Sequence, residues 1–443
     1  MKTVEFNKES IEVIGSYDTV IIGGGTAGSA AAISAARGGN KTIVIEKSIA
    51  LGGAAVNALV TPVMETFVSH GEIFDEIDKR LMAKGITTHD GIMTYVYSTA
   101  ELKAVVLEEM LLEAGGEILF DAALAGCLLD SGKITTVIVT TAQGLIAVEG
   151  KQFIDATGDA FLSRTAGVET IAGDENGNNQ MTSLRFEMGG IDVEKYRDYC
   201  LSLHDEFSPL KSGFFWESAM VKNKGFKLEP LFRKGIEEGY LKPEDLVYYQ
   251  CFSLPGETGC MTFNCPHLSS MVRNTSAMAR SKAISEGREM IMRLTSFLKA
   301  MVPGFEESFL IRIASEIGVR ESWRIKGKYV LNEDDYVARA KFEDGVAKGD
   351  WYIDVHSATK GLVHMEKYQK GEYYEIPYRC LTNEKVQNLI TIGRCISTTF
   401  LVQASIRIQA TVIEMGDTAG EICAKALRDG TELNEYKYSK KEY

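Results

Sequence analysis

The chain has 443 residues, with 48 Lys and Arg against 61 Asp and Glu and a net charge of −13 at pH 7. Its 45% hydrophobic and 25% charged residues are an ordinary globular mixture, which excludes a disordered or fibrous chain. So acidic a balance supplies no basic stripe for nucleic acid or an anionic membrane, yet it leaves room for an anionic cofactor held by backbone N–H groups. Eight cysteines scattered from Cys127 to Cys423 make no secreted disulfide scaffold. Residues 1–9 have no apolar signal-peptide core, so a cytoplasmic protein with reduced thiols is expected.

Thr19 to Ala36 carries no charge, but Gly23, Gly24, Gly25 and Gly28 would spoil a membrane helix through it. The pattern predicts a buried parallel strand over 17–22, a glycine turn and an Ala-rich helix over 26–37 stopped by Gly38-Gly39-Asn40. A second buried strand at 41–46 completes a βαβ unit, which closes as a right-handed crossover. Helices are predicted at 72–84 and 100–114, then short strands near 117–120, 124–129, 134–140 and 145–149. Ser131-Gly132-Lys133 reads as a hairpin turn, and 151–155 as a separate short strand. The polar, glycine-rich and aromatic stretch 174–270 yields no assignment. Helices are predicted at 275–300 and 306–318, and 330–380 has little periodicity. A last buried strand at 388–393 and one long helix over 405–428 close the chain.

Gly23-Gly24-Gly25-Thr26-Ala27-Gly28 is a GxGxxG string lying between a strand and a helix, where its chemistry requires it. Gly23 permits the tight turn, Gly25 lets backbone approach a pyrophosphate, and Gly28 allows close helix–strand contact. Glu46, at the end of the next strand, can hydrogen-bond ribose hydroxyls. The small-residue loops at Gly52-Gly53 and at Asp155-Ala156-Thr157-Gly158-Asp159 also follow strands and read as further cofactor contacts or as plain turns.

Taken together these motifs resemble the FAD-dependent oxidoreductases related to the fumarate reductase/succinate dehydrogenase flavoproteins, in their bacterial subgroup. The resemblance rests on IIGGGTAGSAAAISAA at 21–36 with Glu46, LGG at 51–53, DATGD at 155–159 and PGFE at 303–306. It continues through IGVRESWRIKGKYVL at 317–331, DVH at 354–356, IPYRCL at 376–381, NLITIGRCIS at 388–397 and the closing MGDTAGEICAKAL. It implies an α/β fold, with a doubly wound, Rossmann-like FAD-binding domain assembled from about 15–170 and 385–430 and an inserted α+β substrate or cap domain over 171–384. It also implies FAD as cofactor. Gly23, Gly25, Thr26, Ala27, Gly28, Glu46 and Lys47 would hold its ADP half. Gly52, Gly53, Asp155, Thr157, Gly158 and Asp159 would lie along the pyrophosphate and ribitol, and Gly393, Arg394, Ser405 and Arg407 would border the flavin ring. A helix N-terminus aimed at the flavin C2 carbonyl, a role that fits the closing helix, would stabilise negative charge on the ring. One departure is Gly416-Asp417-Thr418-Ala419-Gly420, where the family often has GxAAG.

A flavin reaction passes a hydride at N5 and needs a nearby group to exchange a proton. His356, oriented by Asp354, is the first candidate, against a loop histidine that only hydrogen-bonds. Arg320, with Glu321 and Arg324, could bind an anionic substrate, or helical spacing could make the group a salt-bridge network. Tyr378, after Pro377, is a candidate proton donor or a core tyrosine with its hydroxyl satisfied. Cys251, Cys260, Cys265 and His267 match no compact metal signature, there is no C-x-x-C, and no metal is expected. The resulting expectation is an FAD-dependent enzyme transferring a hydride to or from a small organic substrate where the cap meets the flavin. A reductase of an activated C=C bond and a flavin electron-relay subunit are the alternatives. The expected partner is a small molecule, with no nucleic acid and no membrane; a homo-oligomer or a redox protein partner stays open.

Overall fold

Strands β1 (Glu12–Ile22), β2 (Thr42–Ile45), β3 (Glu117–Leu119), β4 (Ala123–Asp130), β5 (Lys133–Thr141) and β6 (Gly144–Asp155) join Leu389–Thr391 in a seven-stranded sheet. The sheet belongs to a computed structural model describing residues 10–64, 66–84, 99–208, 210–211, 216–254, 256–268, 273–357, 361–364 and 368–440. Its order is β3-β2-β1-β6-β5-β4, with Leu389–Thr391 also on β6. β1 pairs in parallel with β2 and β6, β2 with β3, and Leu389–Thr391 with β6; the β4-β5-β6 hairpins are antiparallel. The expected strand at 17–22 starts earlier, at Glu12, and the two strands expected at 145–149 and 151–155 are one. Pairing with β1, in constant register from Gly15 onward, carries β6 past Gly150, so β5 shares its first half and Leu389–Thr391 its last residues.

Helix α1 (Thr26–Arg37) crosses from β1 to β2 as the sequence predicts. The C-terminal helix Gln409–Asp429 lies directly against it. Contact is so close that a Cβ on Gly416 would stand 2.2 Å from the Ala27 carbonyl oxygen, and one on Gly420 2.3 Å from that of Ala31. This pairing returns the end of the chain to the mouth of the first βαβ unit. Apolar residues of 331–381, among them Leu331, Tyr336, Tyr374, Ile376 and Cys380, pack into the same core.

The stretch left unassigned at 174–270 supplies most of a second, six-stranded sheet covered by the helix Ala277–Met301. Its core is aromatic, with Phe186 stacked on Phe263 at 4.5 Å and Phe232, Tyr249, Phe297 and Phe305 buried around them. The helix expected at 306–318 is instead the edge strand Phe309–Ile313, paired with Phe186–Gly189. Its alternating side chains fit a pleat, and Arg312 Nε donates to Glu187 Oε2 at 2.7 Å across the pair. The single closing helix expected at 405–428 is two helices, Phe400–Ile406 and Gln409–Asp429, broken where Ile408 turns extended. No Gly or Pro marks that break. Tertiary tethers hold it: Arg407 Nη2 donates to the Asp354 carbonyl at 3.2 Å, and Gln409 Nε2 to those of Val60 and Pro62 at 2.8 and 3.0 Å.

Alanine normally favours a helix over glycine by about 1 kcal/mol. Gly420→Ala should reverse that sign and destabilise the protein by roughly 1–3 kcal/mol, because its methyl group meets backbone of α1. Urea unfolding of the variant measures this; a stabilised variant would contradict the packing.

Candidate active site

Parallel strands present their loops at one end of a sheet, and here Gly23, Glu46, Ala156 and Ile392 each follow a strand of that set. All four line one cavity of ≈ 800 Å³. Backbone bonds hold its floor: Gly23 N–H donates to Ile45 O at 2.8 Å, Ala156 N–H to Ile22 O at 2.8 Å and Ile392 N–H to Asp155 O at 2.9 Å. Gly23 has φ +99°, and a Cβ there would meet the Ala156 carbonyl at 2.6 Å. A Cβ on Gly28 would stand 1.9 Å from the Gly23 carbonyl oxygen, so only glycine lets α1 start this close to the turn. Gly25, the N-cap, has no side chain to cap α1, and no acidic residue sits in its first turn. The first-turn N–H groups are therefore open to an anion.

A second glycine loop is laid on the first. Gly52 N–H donates to Gly24 O at 2.7 Å, and Thr26 Oγ1 donates to Gly52 O at 3.1 Å. The Glu46 carboxylate, 4% exposed, accepts from Gly24 N–H at 2.6 Å and Ser48 N–H at 2.9 Å, which fixes it at the rim of the cavity. Lys47 lines the cavity beside it and pairs with Glu316 at 3.0 Å. Asp159 accepts from Arg280 Nη1 at 2.8 Å, Arg394 Nη2 at 3.1 Å and Ser322 Oγ at 2.6 Å. Burial would push its carboxyl upward, but Arg394 and Arg280 hold it well below the usual carboxylate range. The helix Gln409–Asp429 brings a second N-terminus to the same cavity: it lacks a side-chain cap, and Ile408, Gln409 and Val412 line the wall.

The opposite wall comes from the second sheet and the 350s. His356 Nε2 lies 3.1 Å from Asp354 Oδ2. Burial, reinforced by Arg320, pushes the imidazole down to about 4 against the pull of Asp354, so the ring is neutral near pH 7. Arg320 Nη1 donates to Met181 O at 2.9 Å and Ser183 Oγ at 2.7 Å, and its Nη2 lies 3.2 Å from His267 Nε2. Since a guanidinium only donates, His267 accepts through Nε2 and carries its proton on Nδ1. Burial, then Arg320 and His356, push His267 well below its ordinary value.

Of the residues singled out from sequence, Gly23, Gly25, Thr26, Ala27, Glu46, Lys47, Gly53, Thr157, Gly158, Asp159, Gly393, Arg394, Arg407, Arg320 and His356 line this one cavity. Gly28, Gly52, Asp155 and Ser405 do not line it and act on its shape instead. Asp155 is fully buried and pins the loop through Ser163 and Thr157. Ser405 Oγ is engaged with Tyr374 Oη at 2.7 Å and Trp351 O at 2.6 Å. The proton-donor reading of Tyr378 is corrected: it is buried away from the cavity, and its hydroxyl donates to Leu433 O at 2.7 Å. The helical grouping of Arg320, Glu321 and Arg324 is corrected too. The segment is extended, Arg320 faces the cavity, and Glu321 and Arg324 form a buried ion pair with each other. Arg280, Arg185 and Gln409 escaped the sequence reading because their partners lie far along the chain. Among the described residues no group of His, Cys, Asp and Glu is arranged to hold a metal ion, and no helix is long and apolar enough to cross a membrane.

A glycine turn, an open helix N-terminus and a strand-end carboxylate on one long cavity define a dinucleotide-binding oxidoreductase fold. The family described as FAD dependent oxidoreductase matches residues 18–440, and the chain belongs to it; it is an enzyme whose cofactor is FAD. Digeranylgeranylglycerophospholipid reductase 2 of Methanopyrus kandleri is 29% identical over 220 residues, 45% of this chain and 51% of that protein. The digeranylgeranylglycerophospholipid reductase of Thermoplasma acidophilum is 23% identical over 217 residues, 45% of this chain and 53% of that protein. The chain spans about half the length of the curated relatives it matches. Among solved structures, a geranylgeranyl bacteriochlorophyll reductase-like protein of Thermoplasma acidophilum shares the fold with a TM-score of 0.50 at 14% identity, over 95% of this chain and 80% of that one. A flavin-dependent brominase aligns with a TM-score of 0.50 at 13% identity, over 95% and 82%. These relatives are not fumarate reductase or succinate dehydrogenase flavoproteins, so the narrower resemblance drawn from the motifs is corrected to the broader family.

Two predictions follow from this geometry. Glu46→Ala should weaken FAD binding by roughly ten- to a hundredfold, the scale of a lost charged hydrogen bond, in a fluorescence titration of the folded variant; unchanged affinity would contradict the role of the rim carboxylate. The second concerns pH. His356 takes its proton near 6.5 when unfolded and near 4 when folded, so the unfolded state binds the proton first as pH falls. Stability is full above about 6.5 and is lost towards 4, about 2 kcal/mol of it between pH 7 and pH 5. His356→Gln should shrink the difference between urea unfolding at pH 7 and pH 5 by that amount.

Proposed function

We propose that the protein exchanges a hydride between FAD and a small organic substrate held against the Arg320–His356 wall. When bound, FAD supplies the two-electron chemistry. The observation that carries the reading is the continuity of one cavity from Gly23 and Glu46 to Arg320 and His356. The chain's own groups divide the remaining work. Open first-turn N–H groups of α1, with Glu46, would hold the dinucleotide, and the uncapped N-terminus at Gln409 would favour negative charge beside it. His356 would take up through Nδ1 the proton that the substrate releases as it gives a hydride to the flavin, and in the reductive direction would first gain that proton from solvent and then hand it to the substrate. Its Nε2–H is directed at Asp354, which leaves Nδ1 as a buried acceptor without a protein partner. The second sheet would close the cavity against water.

The curated relatives carry the name reductase, which supports reduction of the substrate as the working direction. Their lipid is not carried over, because a hydrocarbon chain would lie against Arg320, Arg407 and His356 and leave buried polar groups unsatisfied.

The test is anaerobic. Small organic molecules should bleach the oxidised flavin or reoxidise the reduced flavin, and His356→Gln should slow that step by about 10²–10⁴-fold at unchanged FAD content. Flavin that responds only to a protein donor would overturn the proposal in favour of an electron relay.

A further inference from the structure

The wall that faces the substrate in this reading has more positive charge than the protein itself neutralises. Arg320 and Arg407 both line it, and the carboxylate beside them is Asp354. Asp354 is already shared, with His356 Nε2 at 3.1 Å and Arg407 Nη2 at 3.5 Å. Arg320 has no carboxylate within ion-pair distance among the described residues; its three hydrogen bonds go to Met181 O, Ser183 Oγ and His267. A guanidinium carries five N–H donors, so Arg320 keeps donors in reserve. Arg407 Nε is buried with no protein acceptor, and so is Nδ1 of His267, the nitrogen that bears the proton. A half-buried cation such as Arg320, with no anion in ion-pair range, leaves charge for a partner to meet.

We infer that this wall is an oxyanion site, in which Arg320 and Arg407 together receive the carboxylate or phosphate of a small organic anion as the substrate's anchoring group. The inference rests on the proposed function only in taking the bound anion to be the substrate. Three features support it beyond the charge count. Arg320 is fixed by Ser183 and the Met181 carbonyl, so its remaining donors are aimed before anything binds. Burial, with Arg407 nearby, pushes Arg320 down to about 9, a cost that a bound anion would relieve. His267 is forced to accept from Arg320, which makes it a positioning residue, stacked on Tyr248 at 4.2 Å and edge-on to His356 at 5.0 Å.

The experiment uses the FAD-loaded full chain and matched probes: acetate against acetamide, benzoate against benzamide, succinate against succinamide, and inorganic phosphate. Binding is read from the flavin difference spectrum and by calorimetry. The carboxylates or phosphate should bind at least roughly tenfold more tightly than the neutral amides, the weakest discrimination that loss of one charged hydrogen bond would give. The better of the two oxyanions then identifies the head group. Arg320→Gln and Arg407→Gln should each abolish that preference while FAD content stays at the wild-type level, and Arg320→Lys should restore part of it. Amides binding as well as carboxylates, no binding by any of the anions, or FAD lost in both Gln variants would overturn the inference; the last result would assign the arginines to the cofactor. Selective anion binding without any flavin turnover would leave the oxyanion site standing and defeat the hydride-exchange reading instead.

Discussion

The close approach of the C-terminal helix to α1 governs everything at the site. Gly416 and Gly420 let the two backbones meet without side chains between them, with gaps into which no Cβ would fit. Because the helices touch along Ala27–Ala31, the start of each lies at the same cavity. Both starts lack a side-chain cap and an acidic first turn. Such ends are normally satisfied by a Ser, Asp or water. Two of them left open around one cavity make a field that suits a cofactor carrying a pyrophosphate and a ring that gains charge on reduction. In this fold the departure at Thr418 is accommodated because the contact is made by the flanking glycines.

The same logic explains how a chain of net charge −13 offers a cavity suited to anions. Net charge describes the surface, whereas the cavity is decided by a few groups in low dielectric. Near Gly23 the positive potential comes from backbone. Towards Asp159 two arginines share one carboxylate, which also accepts from Ser322 Oγ, and the three side chains tie down a rigid loop. At the Arg320 wall, where Arg320 has no carboxylate within ion-pair distance among the described residues, side-chain cations also outnumber anions.

What the sequence made legible was local. The βαβ unit, the glycine turn and Glu46 fall within one short span, so spacing and periodicity were enough to read them. The strand near 389–391 was also legible, as an isolated β-branched run ending in glycine. The second sheet was not, because its strands owe their form to partners far away: Phe309–Ile313 pairs with Phe186–Gly189 and carries no helix-stopping signal of its own. The break at Ile408 was hidden for the same reason, being held by carbonyls of Val60, Pro62 and Asp354. Tyr378 sat in a plausible loop after Pro377, yet its hydroxyl faces Leu433 in the core. The glycine turn, Glu46 and the loops at 52–53 and 155–159 signalled the cofactor and the broad family, whereas the narrower resemblance to fumarate reductase flavoproteins did not hold.

A crystal structure of the FAD-loaded chain is the most direct test of the claim that two open helix ends and the Arg320 wall share one site. The account predicts one FAD per chain, with its phosphates on the first-turn N–H groups of α1, its ring beside Ile408 and Gln409, and the backbone of both helices unmoved. FAD bound away from the start of the C-terminal helix, or a separation of that helix from α1 on binding, would contradict it.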